Sequence, residues 1–181
     1  SASDGTNGEE LWKSDGTASG IVMVKDIRVP SGSSYPSELT VVGSTLYFSA
    51  YDGTNGYELW KSDGTTSGTV MVKDINSGSN GGSPSSFTAV GNTIYFIAED
   101  GTNGRELWKT DGTEQGTVMV KDINPDGTGE GPPLDLQVFG GKLFFFADNG
   151  ADGYELWESD GTEAGTKLHL DINPGMSSSA Q

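Results

Sequence analysis

The chain has 181 residues, with 10 Lys+Arg against 26 Asp+Glu and a formal charge of −16. A surface this acidic repels phosphate backbones and anionic headgroups, which argues against nucleic acid and against a polybasic membrane role. Cysteine is absent and His169 is the single histidine, so disulfides, thiolate zinc, a Cys nucleophile and His-based triads or metal clusters fall away.

The elements follow one another in a fixed order. Ser1-Ala2-Ser3 matches Ser49-Ala50-Tyr51 and reads as the end of a strand b. A Gly-rich loop then leads to a strand c carrying Glu10-Leu11-Trp12, an Asp15-Gly16-Thr17 turn, and a strand d ending at Asp26-Ile27. The second copy is complete. It gives strand a over Ser37–Val42, a Gly43-Ser44 turn, strand b over Thr45–Tyr51, the loop Asp52-Gly53-Thr54-Asn55-Gly56, strand c over Tyr57–Ser62, the Asp63-Gly64-Thr65 turn and strand d over Thr69–Ile75. Two-residue Gly turns between apolar runs are hairpin signals. An Asn/Ser/Gly/Pro stretch, 76–84, connects to the next strand a. No segment carries a 3.6-residue apolar period, so no helix is expected.

Glu-Leu-Trp recurs at Glu10, Glu58, Glu106 and Glu155, spaced 48, 48 and 49 apart. The extra residue of the last interval falls between Asn124 and Pro132, where a loop tolerates it. The repeat units are approximately 1–35 (partial), 36–83, 84–132 and 133–181, in a single domain. Four antiparallel strands every 48 residues predict an all-β fold, a β-propeller-type array of about 3.5 blades. A sheet that is apolar on both faces needs neighbours to cover both. Trp12, Trp60, Trp108 and Trp157 would fill equivalent inter-blade slots, each burial being worth on the order of 2–3 kcal/mol. Fourteen strands are expected: two from the first unit and four from each of the others. The absence of an initiator Met reads as an internal piece of a longer chain, and pairing of two such chains is the alternative.

Four in-register copies of Glu-Leu-Trp-x-x-Asp-Gly-Thr resemble the ELWxxDGT repeat family across nearly the whole chain. The resemblance implies an extracellular bacterial protein, secreted or attached to the cell surface, in which such repeats form tandem arrays beside other modules. It implies no defined enzymatic activity. The last copy departs most: Lys gives way to Glu158, and Val-Lys-Asp-Ile becomes His169-Leu170-Asp171-Ile172.

The loop before strand c supplies Asp4 and Asn7, Asp52 and Asn55, Asp100 and Asn103, and in reversed order Asn149 and Asp152. Turn chemistry explains these residues, since Asp and Asn accept from local N–H groups. Calcium is the sharper reading, because hard oxygens on a Gly-rich loop, with the following Glu, suit that ion. Asp15, Asp63, Asp111 and Asp160 open the c–d turn and read as Asx-type caps. Asp26, Asp74, Asp122 and Asp171 end strand d and are expected to accept a fixed hydrogen bond from the next blade. Lys25, Lys73 and Lys121 read as a solvated edge.

Tyr57, Arg105 and Tyr154 share one copy-variable position, the natural place for ligand contact. The expected function is a non-catalytic structural, adhesion or protein-interaction surface. Its partners would be other modules of the same chain, another copy of itself, or surface proteins and glycans. The alternative is a lectin-like propeller with one weak site per blade. A glycoside hydrolase comes third, because an active site would break the repeat at one place, whereas these carboxylates recur in every copy.

Overall fold

The computed structural model describes residues 1–125, 131–172 and 174. The extra residue expected between Asn124 and Pro132, and the linker expected after Pro174, fall largely on 126–130 and 175–181, outside the described residues. Among the described residues the chain is all-β with one 3-10 turn, Ala18–Gly20. Sheet 1 holds β1 (Ala2–Ser3), β2 (Glu9–Lys13) and β3 (Val22–Lys25). Sheet 2 holds β4 (Ser37–Val42), β5 (Thr45–Tyr51), β6 (Tyr57–Ser62) and β7 (Val70–Lys73). Sheet 3 holds β8 (Ser85–Val90), β9 (Thr93–Glu99), β10 (Arg105–Thr110) and β11 (Val118–Lys121). Sheet 4 holds β12 (Leu134–Phe139), β13 (Lys142–Asp148), β14 (Tyr154–Ser159) and β15 (Lys167–Leu170). Each sheet is an antiparallel meander in chain order. Among the described residues the strands number fifteen rather than fourteen, because Ala2 and Ser3 pair with Glu10 and Glu9 as a short strand b.

The turn chemistry explains the hairpins. Gly43, Gly91 and Gly140 take φ of 60°, 61° and 60° between strands a and b, a region that costs a side-chain-bearing residue energy. Strand d is shorter than expected, Val70–Lys73 rather than Thr69–Ile75. Asp74 and Ile75 leave the ladder because the Ile75 N–H is drawn to the Glu58 carboxylate instead of to strand c. A register shift between Leu59 and Trp60 opposite strand d recurs at Leu11/Trp12, Leu107/Trp108 and Leu156/Trp157.

Strand alternation divides each sheet into two unlike faces. One carries the Trp: Phe48 stands opposite Trp60, Phe96 opposite Trp108 and Phe145 opposite Trp157. The other carries the Leu of the same motif. The chain divides into two compact units, Ser1–Pro84 and Ser85–Gln181. In the first unit Leu11, Val24 and Ile27 of sheet 1 pack with Phe48, Ala50 and Trp60 of sheet 2. In the second, Tyr95, Ile97, Leu107, Val120 and Ile123 of sheet 3 pack with Leu143, Phe145, Ala147 and Trp157 of sheet 4. Both seams therefore lay the Leu face of one sheet on the Trp face of the next.

Polar ties edge these seams. Lys13 Nζ donates to the Gly64 carbonyl at 2.8 Å, and Lys109 Nζ to Gly161 at 2.7 Å. Lys25 Nζ donates to Thr69 O at 2.8 Å, so this lysine ties two sheets together instead of serving as a solvated edge.

Candidate functional site

The Asp-Gly-Thr-Asn-Gly loops close on themselves. Asp52 Oδ1 accepts the N–H groups of Thr54 and Asn55 at 2.8 Å each, while Oδ2 accepts from Asn55 Nδ2 at 2.7 Å. Asp4 and Asn7 repeat this arrangement, as do Asp100 and Asn103. In the fourth copy the polarity reverses: Asn149 Oδ1 accepts from Ala151 and Asp152 N–H, and its amide donates to Asp152 Oδ2 at 2.9 Å. Either order thus yields the same turn. The Asn7 and Thr6 N–H groups hold the Asp4 carboxyl below its ordinary value. Burial pushes Asp52 and Asp100 up, but the N–H donors outweigh it and the net direction is down. Among the described residues no three His, Cys, Asp or Glu side chains converge closely enough to hold a metal ion.

The Glu that follows each loop turns inward. Glu58 is fully buried. Its Oε2 accepts Ile75 N–H at 2.9 Å, and its Oε1 accepts those of Asn76 at 3.2 Å and Gly82 at 2.6 Å. Glu10 takes Ile27 and Ser34 N–H, Glu106 takes Ile123, and Glu155 takes Ile172. The Glu therefore clamps the linker leaving its own sheet and does not complete a loop ligand set. Desolvation pushes Glu58 and Glu106 up to about 7, with the charges of Asp74 and Asp122 adding to it. The sequence could not identify this role, because the partners are backbone groups.

In the Asp that ends each strand d, Oδ1 of Asp26, Asp74, Asp122 and Asp171 is buried with no hydrogen-bond partner. The c–d turns are Asx caps. Asp15 Oδ1 accepts the Thr17 N–H at 2.9 Å and its hydroxyl at 2.7 Å, and Asp63, Asp111 and Asp160 repeat both bonds.

Trp60, Trp108 and Trp157 are buried, and Trp12 is half-buried. Trp157 Nε1 donates to Ala147 O at 3.1 Å, while the other three indole N–H groups are buried without a partner. At the copy-variable position, the Tyr57 ring lies 5.5 Å from that of Tyr51, Arg105 Nη2 donates to Ser85 Oγ at 2.7 Å, and Tyr154 is exposed.

Two concavities stand out. A groove of about 430 Å³ between sheets 3 and 4 is lined by Thr93, Tyr95, Lys109, Asp111, Asp160 and Thr162. A second, of about 360 Å³, is bordered by Arg28, Pro30 and Asp52, with the Arg28 guanidinium 4.7 Å from the Tyr51 ring centre.

The last sheet carries a cluster that the sequence flagged only as a departure. Glu158 accepts from Lys142 Nζ at 3.3 Å, lies 3.6 Å from Lys167 Nζ and 3.1 Å from His169 Nδ1. Desolvation pushes its carboxyl up, but the Lys142 and His169 contacts outweigh this and hold it below its ordinary value. Comparison of the chain with protein-family models finds no match, and comparison with curated proteins finds no relative.

Proposed function

We propose that the chain is a non-catalytic module of the ELWxxDGT repeat type. Its sheets would be arranged as blades of a β-propeller, and it would serve as a structural, adhesion or protein-interaction surface of a larger secreted or cell-surface bacterial protein. The observation that carries this reading is the use of the recurrent carboxylates. The Glu10, Glu58, Glu106 and Glu155 series accepts linker N–H groups, and the Asp15, Asp63, Asp111 and Asp160 series caps turns, the same way in every copy. Glycoside hydrolysis needs two carboxyl groups facing a shared substrate, and a carboxylate spent on buried backbone donors is not available for that work. The bacterial, extracellular setting rests on the resemblance carried by the repeated motif.

The test is turnover of a panel of aryl glycosides and oligosaccharides, run beside binding to immobilised cell-surface protein and glycan fractions. Saturable binding without turnover is the expected result. Turnover that disappears in Glu106→Gln would overturn the reading. A second reading, weak carbohydrate binding, is favoured by Tyr154, whose side chain is 40% exposed at the copy-variable position. Glycan-array binding lost in Tyr154→Ala would select it.

A further inference from the structure

The Leu face of sheet 3 and the Leu face of sheet 4 have the same topology and opposite fates. Ile97, Leu107 and Ile123 on sheet 3 are 3%, 0% and 5% exposed beneath sheet 4. Their equivalents Phe146 and Ile172 on sheet 4 are 37% and 58% exposed. Leu156 is half-buried, and its cross-strand neighbour Leu170 is 54% exposed, where sheets 1 to 3 carry Lys25, Lys73 and Lys121. A contiguous apolar face of this kind marks an interaction surface.

The seam within each unit shows what covers a Leu face: a Trp-bearing face flanked by an Asp-Gly-Thr turn, with a lysine reaching the turn carbonyl. Sheet 1 carries the strand-c part of such a face uncovered, with Trp12 and the Asp15 turn but without the strand-b Phe that Phe48 and Phe145 supply to the two seams. Trp12 is half-buried where Trp60 and Trp157 are buried, and Ser14 is exposed where Ser62 and Ser159 are buried.

The charges also match. Glu158 replaces the seam lysine, yet Lys142 and Lys167 bring two ammonium groups within 4 Å of it, with His169 alongside. The spot is thus cationic in a chain of net charge −16. The Asp15-Gly16-Thr17 turn that would meet it is exposed and anionic. At the equivalent place Lys13 approaches the Asp63 turn and helps hold that carboxyl below its ordinary value.

We propose that the outward face of sheet 4 docks the Trp face of sheet 1 in a second copy of this chain, with the Lys142/Lys167 pair against the Asp15 turn. The inference rests on reading the chain as an interaction module, and it names the partner. Such a contact is heterologous, using a different patch on each copy.

The experiment is sedimentation velocity on the 181-residue chain over a dilution series. Two surface variants, Phe146→Glu on sheet 4 and Ser14→Arg on sheet 1, are run beside it, their folding checked by circular dichroism. Both positions are exposed in the single chain, so the variants leave its interior intact. The wild type is expected to gain mass with concentration. Each variant alone is expected to associate at least about tenfold more weakly, a loss of about 1.4 kcal/mol. An equimolar mixture is expected to form one-to-one pairs that grow no further, because only one intact face remains on each partner. A wild type that stays monomeric would overturn the proposal. So would self-association of Ser14→Arg with none in Phe146→Glu, since that signals sheet 4 pairing with itself. Association that survives in both variants, or a mixture that stays monomeric, would overturn it too. Any of these outcomes leaves the interaction-module reading standing, because that reading is decided by the turnover and binding assays.

Discussion

Glu58 and Gly82 stand 24 positions apart and are joined by a 2.6 Å bond from the Gly82 N–H to Oε1. The same carboxylate holds Ile75 and Asn76, so one side chain satisfies three buried donors of the linker. Glu58→Ala should orphan all three. At about 1–3 kcal/mol for each buried group left unsatisfied, the loss should reach roughly 3 kcal/mol or more. Glu58→Gln keeps an acceptor oxygen and should cost distinctly less. Urea denaturation followed by Trp fluorescence measures both, and equal losses would show that side-chain volume, not hydrogen bonding, matters there.

The pH profile follows from two opposed sets of carboxyls. Glu58 and Glu106 are raised from 4.5 to about 7, by burial first and then by Asp74 and Asp122. The folded chain holds these protons more tightly than the unfolded chain. Their contribution is therefore complete below the unfolded value and is lost as pH rises through about 7. Asp4, Asp15, Asp52, Asp63, Asp100 and Asp160 are lowered from 3.8, so their contribution is present above that value and lost as pH falls. Tm should peak on the acid side of neutrality and decline from about pH 5 to about pH 8. The double variant Glu58→Gln/Glu106→Gln should flatten that decline. A wild-type Tm that climbs steadily through the same range would contradict the assignment.

Trp60 and Trp12 occupy equivalent positions with unequal burial. Trp60→Ala should cost about 3–5 kcal/mol, the range for a large aromatic removed from a packed core. Trp12→Ala, measured in dilute solution where copies do not meet, should cost less than half as much. Equal values would mean that Trp12 is covered in the single chain.

Addition of calcium or EDTA should leave Tm unchanged. The carboxylate oxygens of Asp4, Asp52 and Asp100 already accept local N–H groups, and the neighbouring Glu points into the linker. A ligand that binds only the folded state raises the midpoint. A calcium-dependent rise abolished by Asp52→Ala would make these loops cation sites.

Much of the fold was legible because the code is local and written four times. Ser37–Val42, Thr45–Tyr51 and Tyr57–Ser62 were bounded by Gly turns and loops, and β4, β5 and β6 fill the same ranges. The failures share a cause: each involves a partner far along the chain. Strand d was drawn too long because nothing near Ile75 announces that its N–H belongs to Glu58. The second glycine of the loop read only as a turn residue. A Cβ on Gly56 would lie 2.4 Å from the Gly81 backbone, so close approach of the linker excludes a side chain there as firmly as its φ of 76° does. The candidate site was partly legible. The Asp/Asn swap at Asn149 and Asp152 pointed to a two-member turn, which the structure shows with its polarity inverted. The Glu158 cluster was hidden, because Lys142 of β13 and the Lys167/His169 pair of β15 reach it from strands on either side of its own.

The clamp also bears on how such a chain can change length. Each Glu secures the linker that leaves its own sheet, 17 to 24 positions downstream, so every repeat carries its own fastening. Duplicating or deleting one whole 48-residue period moves a sheet together with its clasp, wherever in the period the break falls. A change of length between a Glu and its donors alters the span that the clamp has to close, and the one extra residue of the 49-residue interval falls there, between Asn124 and Pro132. Recombination between repeats can therefore add or remove whole sheets without redesigning any of them.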